Sequence, residues 1–297
     1  MRGQQDTFLN RSVDITVKKV IYVIKNLHKW INIRMEGKIL FVSDSRGRDI
    51  DAYLNYDEKF ECNVARGATM RKASDIAMRM QRKKPKVTYD LTVISAGICN
   101  LTKRTTTRGT VKISYTTNKE EREAKLNDIT HCINRLRNLS LTPVSFCTII
   151  PASIKKHNNL DNETSAEQQQ QALLEDIRVI NSFIKQNNRE ANIKTIDWAR
   201  FALKHSKKRR RTGDKSICRR TTSFTDENLE DGVHFNDTLK QKCFTTTHQV
   251  ALDIVRKLHS NATETEESTA ETGDPNTSQE SIQPDSWDHK RARTSKE

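Results

Sequence analysis

Three residues that lie far apart in the chain have side chains that could together perform nucleophilic catalysis. Ser45 is in the turn SDSRG, directly after the apolar run KILFV, and Asp231 and His234 are three residues apart in DGVHFND. A histidine held by a carboxylate at one ring nitrogen can take a proton from a hydroxyl at the other. The three residue types therefore fit a nucleophile, a general base and the group that orients the base.

Each of these two motifs also has a purely structural interpretation. Serine and aspartate favour turns through their own local hydrogen bonds, so an isolated SDSRG is more often a structural loop. An isolated D-x-x-H just before a helix is more often a surface histidine. The chemistry depends on whether the fold brings the two regions together.

The segments around these motifs alternate between short apolar runs and helical patterns. Strands are predicted at residues 38–42, 91–95, 144–150 and 193–198. Apolar residues at three- and four-residue spacing predict helices that contain Met70, Ile129, Ile177 and Ile254. This alternation predicts an α/β fold, a doubly wound parallel sheet with helices on both faces in a flavodoxin-like three-layer arrangement. Such sheets place function beyond the carboxyl ends of their strands, which here means after Val42 and after Ser95.

The sequence predicts three regions. Residues 1–36 form an amino-terminal extension with an amphipathic helix, and residues 37–259 form the α/β domain. Residues 260–297 are polar and acidic, and we expect a disordered tail. Within the domain, residues 103–119 alternate apolar and polar side chains and predict an inserted hairpin or a lid beside the site.

The composition predicts an intracellular protein, in the cytoplasm or the nucleus, with no membrane span. The mean hydropathy is −0.79, and the longest apolar run, residues 20–24, is far shorter than the roughly 20 residues that cross a bilayer. The start of the chain lacks the apolar stretch of a signal peptide. The six cysteines are scattered and have neither disulfide-framework nor zinc spacing, so we expect no metal.

The positive charge of the chain is concentrated outside its carboxyl-terminal segment. The net charge is +14, and residues 260–297 contribute −5, which leaves +19 for residues 1–259. The densest run is made up of Lys207, Lys208, Arg209, Arg210 and Arg211. It has three open interpretations: a solvated loop, a nuclear import signal, or a weak contact with the phosphate backbone of nucleic acid.

Taken together and in this order on an α/β pattern, the motifs resemble the SGNH/GDSL hydrolase family. Ser43-Asp44-Ser45 stands in the place of that family's Gly-Asp-Ser block, and Gly67 in ARGATMRK matches the glycine of the second block. The third block, Gly-x-Asn-Asp in the family, is Gly97-Ile98-Cys99-Asn100 here. The resemblance implies Ser45, His234 and Asp231 as the catalytic residues of an esterase that acts on a small ester without a cofactor. It also implies an oxyanion hole formed by Ser45, Gly67 and Asn100.

The third block departs from the family pattern. Cys99 stands where the oxyanion asparagine is expected, a thiol is a weak donor, and the only asparagine follows one residue later at Asn100. This favours a second hypothesis, a weak or inactive SGNH-like module that binds nucleic acid or protein through its basic surface. Similar domains occur beside nucleic-acid-handling proteins of some LINE-type retroelements, and that origin would fit a basic domain.

Overall fold

The computed structural model of the chain describes residues 37–49, 53–54, 56–83, 87–160, 163–212 and 215–270. The predicted amino-terminal helix and the tail beyond residue 270 lie outside the described residues. The strands are β1 (Lys38–Ser43), β2 (Phe60–Val64), β3 (Tyr89–Ser95), β4 (Lys103–Thr107), β5 (Thr110–Ser114), β6 (Val144–Phe146), β7 (Leu203–Thr212) and β8 (Lys215–Phe224). The helices are α1 (Met70–Lys83), α2 (Ile98–Leu101), α3 (Lys119–Leu139), α4 (Ile154–Asn158), α5 (Thr164–Glu190) and α6 (Asp237–Ala270), with 3₁₀ turns at Ser45–Gly47 and Ala199–Ala202.

Four parallel strands form the central sheet, in the order β2-β1-β3-β6. Alternate residues of β1 point into different cores. Leu40 and Val42 belong to the cluster that includes apolar side chains of α1, α3 and α5, whereas Ile39 and Phe41 belong to the cluster that includes side chains of α6. Helices therefore cover both faces, as a sheet of parallel strands requires. The predicted α/β class with a helix-flanked parallel sheet is confirmed.

Strand β2 was missed by the sequence analysis. Its sequence FECNV has apolar residues only at alternate positions and so lacks the continuous apolar run of the inner strands. This fits an edge strand whose residues after Phe60 are partly exposed. The alternation of Phe60, Cys62 and Val64 was the signal that could have revealed it. This strand matters for the site because the turn after it contains Gly67.

The strand predicted at residues 193–198 is only partly present. Ile196 pairs with Cys147 in a single parallel bridge beyond the end of β6. The Thr148 hydroxyl donates to Asp197 Oδ1 at 2.8 Å and accepts from the Ala199 amide at 2.8 Å. These side-chain bonds hold the segment against the sheet, where it forms one bridge and no continuous ladder.

Two antiparallel hairpins, β4–β5 and β7–β8, lie outside the four-stranded sheet. The prediction of a hairpin within residues 103–119 is confirmed by β4 and β5, which are joined by Arg108 and Gly109 in the left-handed conformation of a type I′ turn, with φ 51° and 80°. The basic run 207–211 lies in the second hairpin, β7–β8. The run that could have been a solvated loop is therefore part of a β-hairpin.

The last helix extends further than the sequence indicated. It continues to Ala270, although disorder was expected from residue 260. Packed residues such as Leu239 and Ile254 stabilise the first part of the helix. Once a helix is formed, each residue added to its end gains a backbone hydrogen bond without a new nucleation cost. None of the helices in the described part of the chain combines the length and apolar character needed to span a bilayer.

Candidate active site

The Ser45 turn is built at the carboxyl end of β1. The Asp44 side chain accepts a hydrogen bond from the Arg46 amide at 2.9 Å and so caps the 3₁₀ turn. The Ser43 hydroxyl donates to Ser95 O on β3 at 2.9 Å. Gly47 is required by close packing, because a Cβ there would lie 2.4 Å from the Ser43 side chain. The tight turn leaves Ser45 half-buried at the edge of the sheet.

Two backbone amides at this edge have no acceptor among the described residues. The amides of Asp44, Arg46, Gly47 and Arg48 all donate hydrogen bonds, whereas that of Ser45 does not. The amide of Gly67, in the turn after β2, is likewise unbonded within the described chain. Unpaired amides at the end of a strand beside a nucleophile can stabilise an oxyanion.

Asp231 and His234 form a hydrogen-bonded pair within one short loop. His234 Nδ1 lies 2.8 Å from Asp231 Oδ2, while Asp231 Oδ1 accepts hydrogen bonds from the amides of Val233 and His234 at 2.9 and 2.7 Å. Burial acts to raise the pKa of Asp231, but these hydrogen bonds and the His234 charge outweigh it and lower the pKa well below its usual value. Asp231 is therefore an ionised acceptor that fixes the orientation of the imidazole.

The loop is held in place by helix α4 and the residue before it. Ser153 N donates to Gly232 O at 2.7 Å, and His157 Nδ1 lies 3.0 Å from Asp231 O. Gly232 has φ 84°, and a Cβ at this position would lie 2.6 Å from His157 N. Only glycine permits this close contact in a left-handed conformation. The loop that contains Asp231 and His234 is therefore fixed by contacts from residues distant in sequence.

Ser45, Asp231 and His234 line one cavity of about 670 Å³. Within the described chain, no hydrogen bond joins the Ser45 hydroxyl to the His234 ring. Catalytic hydrogen bonds are often long without substrate and tighten when it binds. The structure therefore brings all three predicted residues to one cavity, with the carboxylate–imidazole contact already made.

Asn100 does not reach this cavity, which corrects its assignment to the oxyanion hole. Its Oδ1 accepts from the Met70 amide at 2.7 Å, and its Nδ2 donates to Asp128 Oδ2 at 2.9 Å. The side chain therefore caps α1 and ties it to α3. Cys99, one residue earlier, is partly buried, and burial together with the charge of Asp44 raises the pKa of its thiol to about 11. The thiol stays protonated at neutral pH.

Arg46 is a component of the site that the sequence analysis missed. Its guanidinium is buried, donates to Ile150 O, and lies 5.4 Å from the centroid of the Phe235 ring. Burial lowers its pKa, and the charge of Asp44 opposes this effect. Arg46 thus connects the Ser45 turn to Phe235, the residue after His234. Its position directly after Ser45 was the only signal in the sequence.

The remaining cavity residues include several charged side chains that were also missed. They are Arg48, Asp49, Arg66, Glu230 and Lys240. Among the described side chains, no group of three or more His, Cys, Asp or Glu residues is arranged to hold a metal ion.

Comparisons with known proteins find similarity only among solved structures. No family model matches the chain. No curated protein matches it either. A GDSL-like lipase from Bacteroides thetaiotaomicron is 11% identical with a TM-score of 0.46, over 76% of this chain and 90% of that chain.

Two further solved structures have similar coverage. The catalytic domain of peptidoglycan O-acetyltransferase A from Streptococcus pneumoniae is 14% identical with a TM-score of 0.41, over 74% of this chain and 95% of that one. A member of the lipolytic G-D-S-L family from Veillonella parvula is 12% identical with a TM-score of 0.40, over 72% of this chain and 97% of that one. Similarity this distant says nothing of the reaction.

Proposed function

We propose that this chain is an SGNH/GDSL-type serine hydrolase that cleaves a carboxylic ester through an acyl-enzyme. The observation that carries the proposal is that His234, held through Nδ1 by Asp231, lines the same cavity as Ser45. Because Nδ1 bonds the carboxylate, Nε2 is the nitrogen left to accept the proton of the hydroxyl. The sheet supports this proposal by placing the Ser45 turn at its carboxyl edge.

In the proposed reaction, Ser45 Oγ attacks the ester carbonyl while His234 Nε2 takes the hydroxyl proton. The carbonyl oxygen becomes an oxyanion that accepts hydrogen bonds from the amides of Ser45 and Gly67. The C–O bond to the alcohol then breaks, and His234 returns the proton to the leaving alcohol. Water repeats these steps on the acyl-enzyme and releases the acid. The third oxyanion donor of the family is missing, and such a loss typically lowers the rate by about 10²- to 10³-fold, so we expect slow turnover.

A fluorophosphonate probe and short p-nitrophenyl esters test the proposal directly. The unaltered chain should be labelled by the probe and should hydrolyse p-nitrophenyl acetate, and Ser45→Ala should lose both. Ser182→Ala is the matched control, because Ser182 is exposed on α5, where its hydroxyl bonds only its own helix at Arg178 O. Labelling that survives Ser45→Ala would exclude Ser45 as the nucleophile.

A second candidate function is binding of nucleic acid by a weak or inactive hydrolase-like domain. The register of the β7–β8 hairpin favours it, because Lys207 is opposite Arg220 and Lys208 is opposite Arg219. A hairpin with basic residues in both strands suits the phosphate backbone of nucleic acid. This candidate does not require the Asp231–His234 pair.

A further inference from the structure

The cavity around Ser45 has an unusual lining for an esterase of apolar substrates. Of the eleven residues that line it, only Val64 and Phe235 are apolar. Binding sites for small molecules are typically lined mainly by hydrophobic and aromatic side chains. A long alkyl chain would find little apolar surface here, so the lining favours a polar substrate.

The charges in the cavity are paired unequally. Lys240 Nζ lies 3.0 Å from Asp49 Oδ2 and 3.4 Å from Asp237 Oδ1, and Asp231 is bonded to His234. The exposed side chains of Arg48 and Arg66 have no acidic partner among the described residues. Glu230 is the one acidic group of the cavity that likewise has no described cationic partner. The lining therefore contains two unpaired guanidinium groups and one unpaired carboxylate among the described residues.

Both unpaired arginines are close in sequence to residues of the proposed reaction. Arg48 follows Ser45 by three residues on the same turn, and Arg66 directly precedes Gly67, whose amide is the second proposed oxyanion donor. The buried Arg46 lines the same cavity, and its Nε and Nη2 have no hydrogen-bond partner in the described part of the chain. A buried donor without an acceptor carries a desolvation cost, which an anionic group bound in the cavity would offset.

We propose that the ester taken by this site carries an anionic oxygen group, a carboxylate or a phosphate, which Arg48 and Arg66 bind. The inference rests on the proposed hydrolase function and adds the substrate class to it. Guanidinium groups suit this role because their paired N–H donors match the two oxygens of a carboxylate or phosphate. The positive charge of residues 1–259 would also draw such a substrate toward the protein.

Acetyl esters of para-substituted phenols test the proposal, because they share an acyl group and differ in charge. The compounds are 4-acetoxybenzoate, 4-acetoxyphenyl phosphate and the neutral methyl 4-acetoxybenzoate. Each kcat/KM is divided by the rate constant for hydroxide-catalysed hydrolysis of the same ester, so that the esters are compared without the difference in intrinsic reactivity of their leaving groups. Two exposed ion pairs, one to each arginine, should raise the normalised kcat/KM of the better anionic ester about tenfold over that of the neutral ester at low salt. This preference should fall as salt is added.

The double variant Arg48→Gln, Arg66→Gln should bring this ratio close to one. The double variant Arg79→Gln, Arg189→Gln is the control, because it removes two exposed arginines that do not line the cavity. It should keep the preference. A ratio near one in the unaltered chain, or a ratio that the cavity variant leaves unchanged, would overturn the inference.

Failure of the hydrolase proposal would be recognised separately. If none of the three esters is turned over, the same compounds are compared by equilibrium dialysis with the unaltered chain and the cavity variant. Tighter binding of an anionic compound that is lost in the cavity variant would support the anion site without catalysis. Equal binding of all three compounds would refute the anion site.

Discussion

Replacement of Asp231 by asparagine tests how the base is oriented. In Asp231→Asn, the side-chain oxygen can still accept from the amides of Val233 and His234, which lie 2.9 and 2.7 Å from Oδ1. The new amide nitrogen would face His234 Nδ1, which lies 2.8 Å from Oδ2. An amide nitrogen only donates, so Nδ1 would have to accept, and the ring proton would move to Nε2.

The changed tautomer should remove the base and leave the loop folded. A protonated Nε2 cannot take the Ser45 proton, and the equivalent change in a serine protease costs about 10⁴-fold in kcat. We expect a loss of about 10³- to 10⁴-fold in kcat/KM for p-nitrophenyl acetate. Asp231→Ala would lose the two amide contacts as well, and we expect it to be less stable than the asparagine variant by about 1–2 kcal/mol. Urea denaturation separates these two effects.

The lowered pKa of Asp231 predicts that the stability of the fold depends on pH. The pKa of Asp231 is lowered in the folded chain, so its ionised form stabilises the fold fully above the ordinary carboxyl pKa of about 4. That contribution is lost as the pH falls toward the lower folded value. Asparagine does not titrate, so the stability difference between the two proteins should shrink in acid. An asparagine variant that is equally stable and retains more than about a tenth of the activity would refute the assigned role.

Two further perturbations separate structural from functional roles. Asn100→Ala removes the acceptor of the Met70 amide and the donor to Asp128, so it should lower the free energy of unfolding in urea by about 1–2 kcal/mol. We expect kcat/KM to stay within about twofold, and a hundredfold loss of activity would mean that Asn100 is an oxyanion donor after all. Neutralising residues 207–211 with glutamine should weaken retention on heparin and flatten the salt dependence of single-stranded DNA binding; unchanged binding would exclude the β7–β8 hairpin as the contact.

The parts of the fold that depend on local periodicity could be predicted from the sequence. Helices α1, α3, α5 and α6 place their spaced apolar residues in the cores, and β1 and β3 are apolar because helices cover both faces of the sheet. Strand β2 was missed, and the segment around Ile196 was predicted as a full strand although it forms a single bridge. Both lie at edges of the sheet, where polar side chains interrupt the apolar pattern.

The sequence alone determined which side chains are available for chemistry. It also made the Asp231–His234 pair possible, because a carboxylate three residues before a histidine can reach the ring within one turn. The tertiary structure decided which residues share a cavity. It placed Ser45 and His234 in the lining of one cavity, held the Asn100 side chain at the start of α1, and buried Arg46 against Phe235. These outcomes depend on strand order and on contacts between residues distant in sequence, which local residue spacing does not encode.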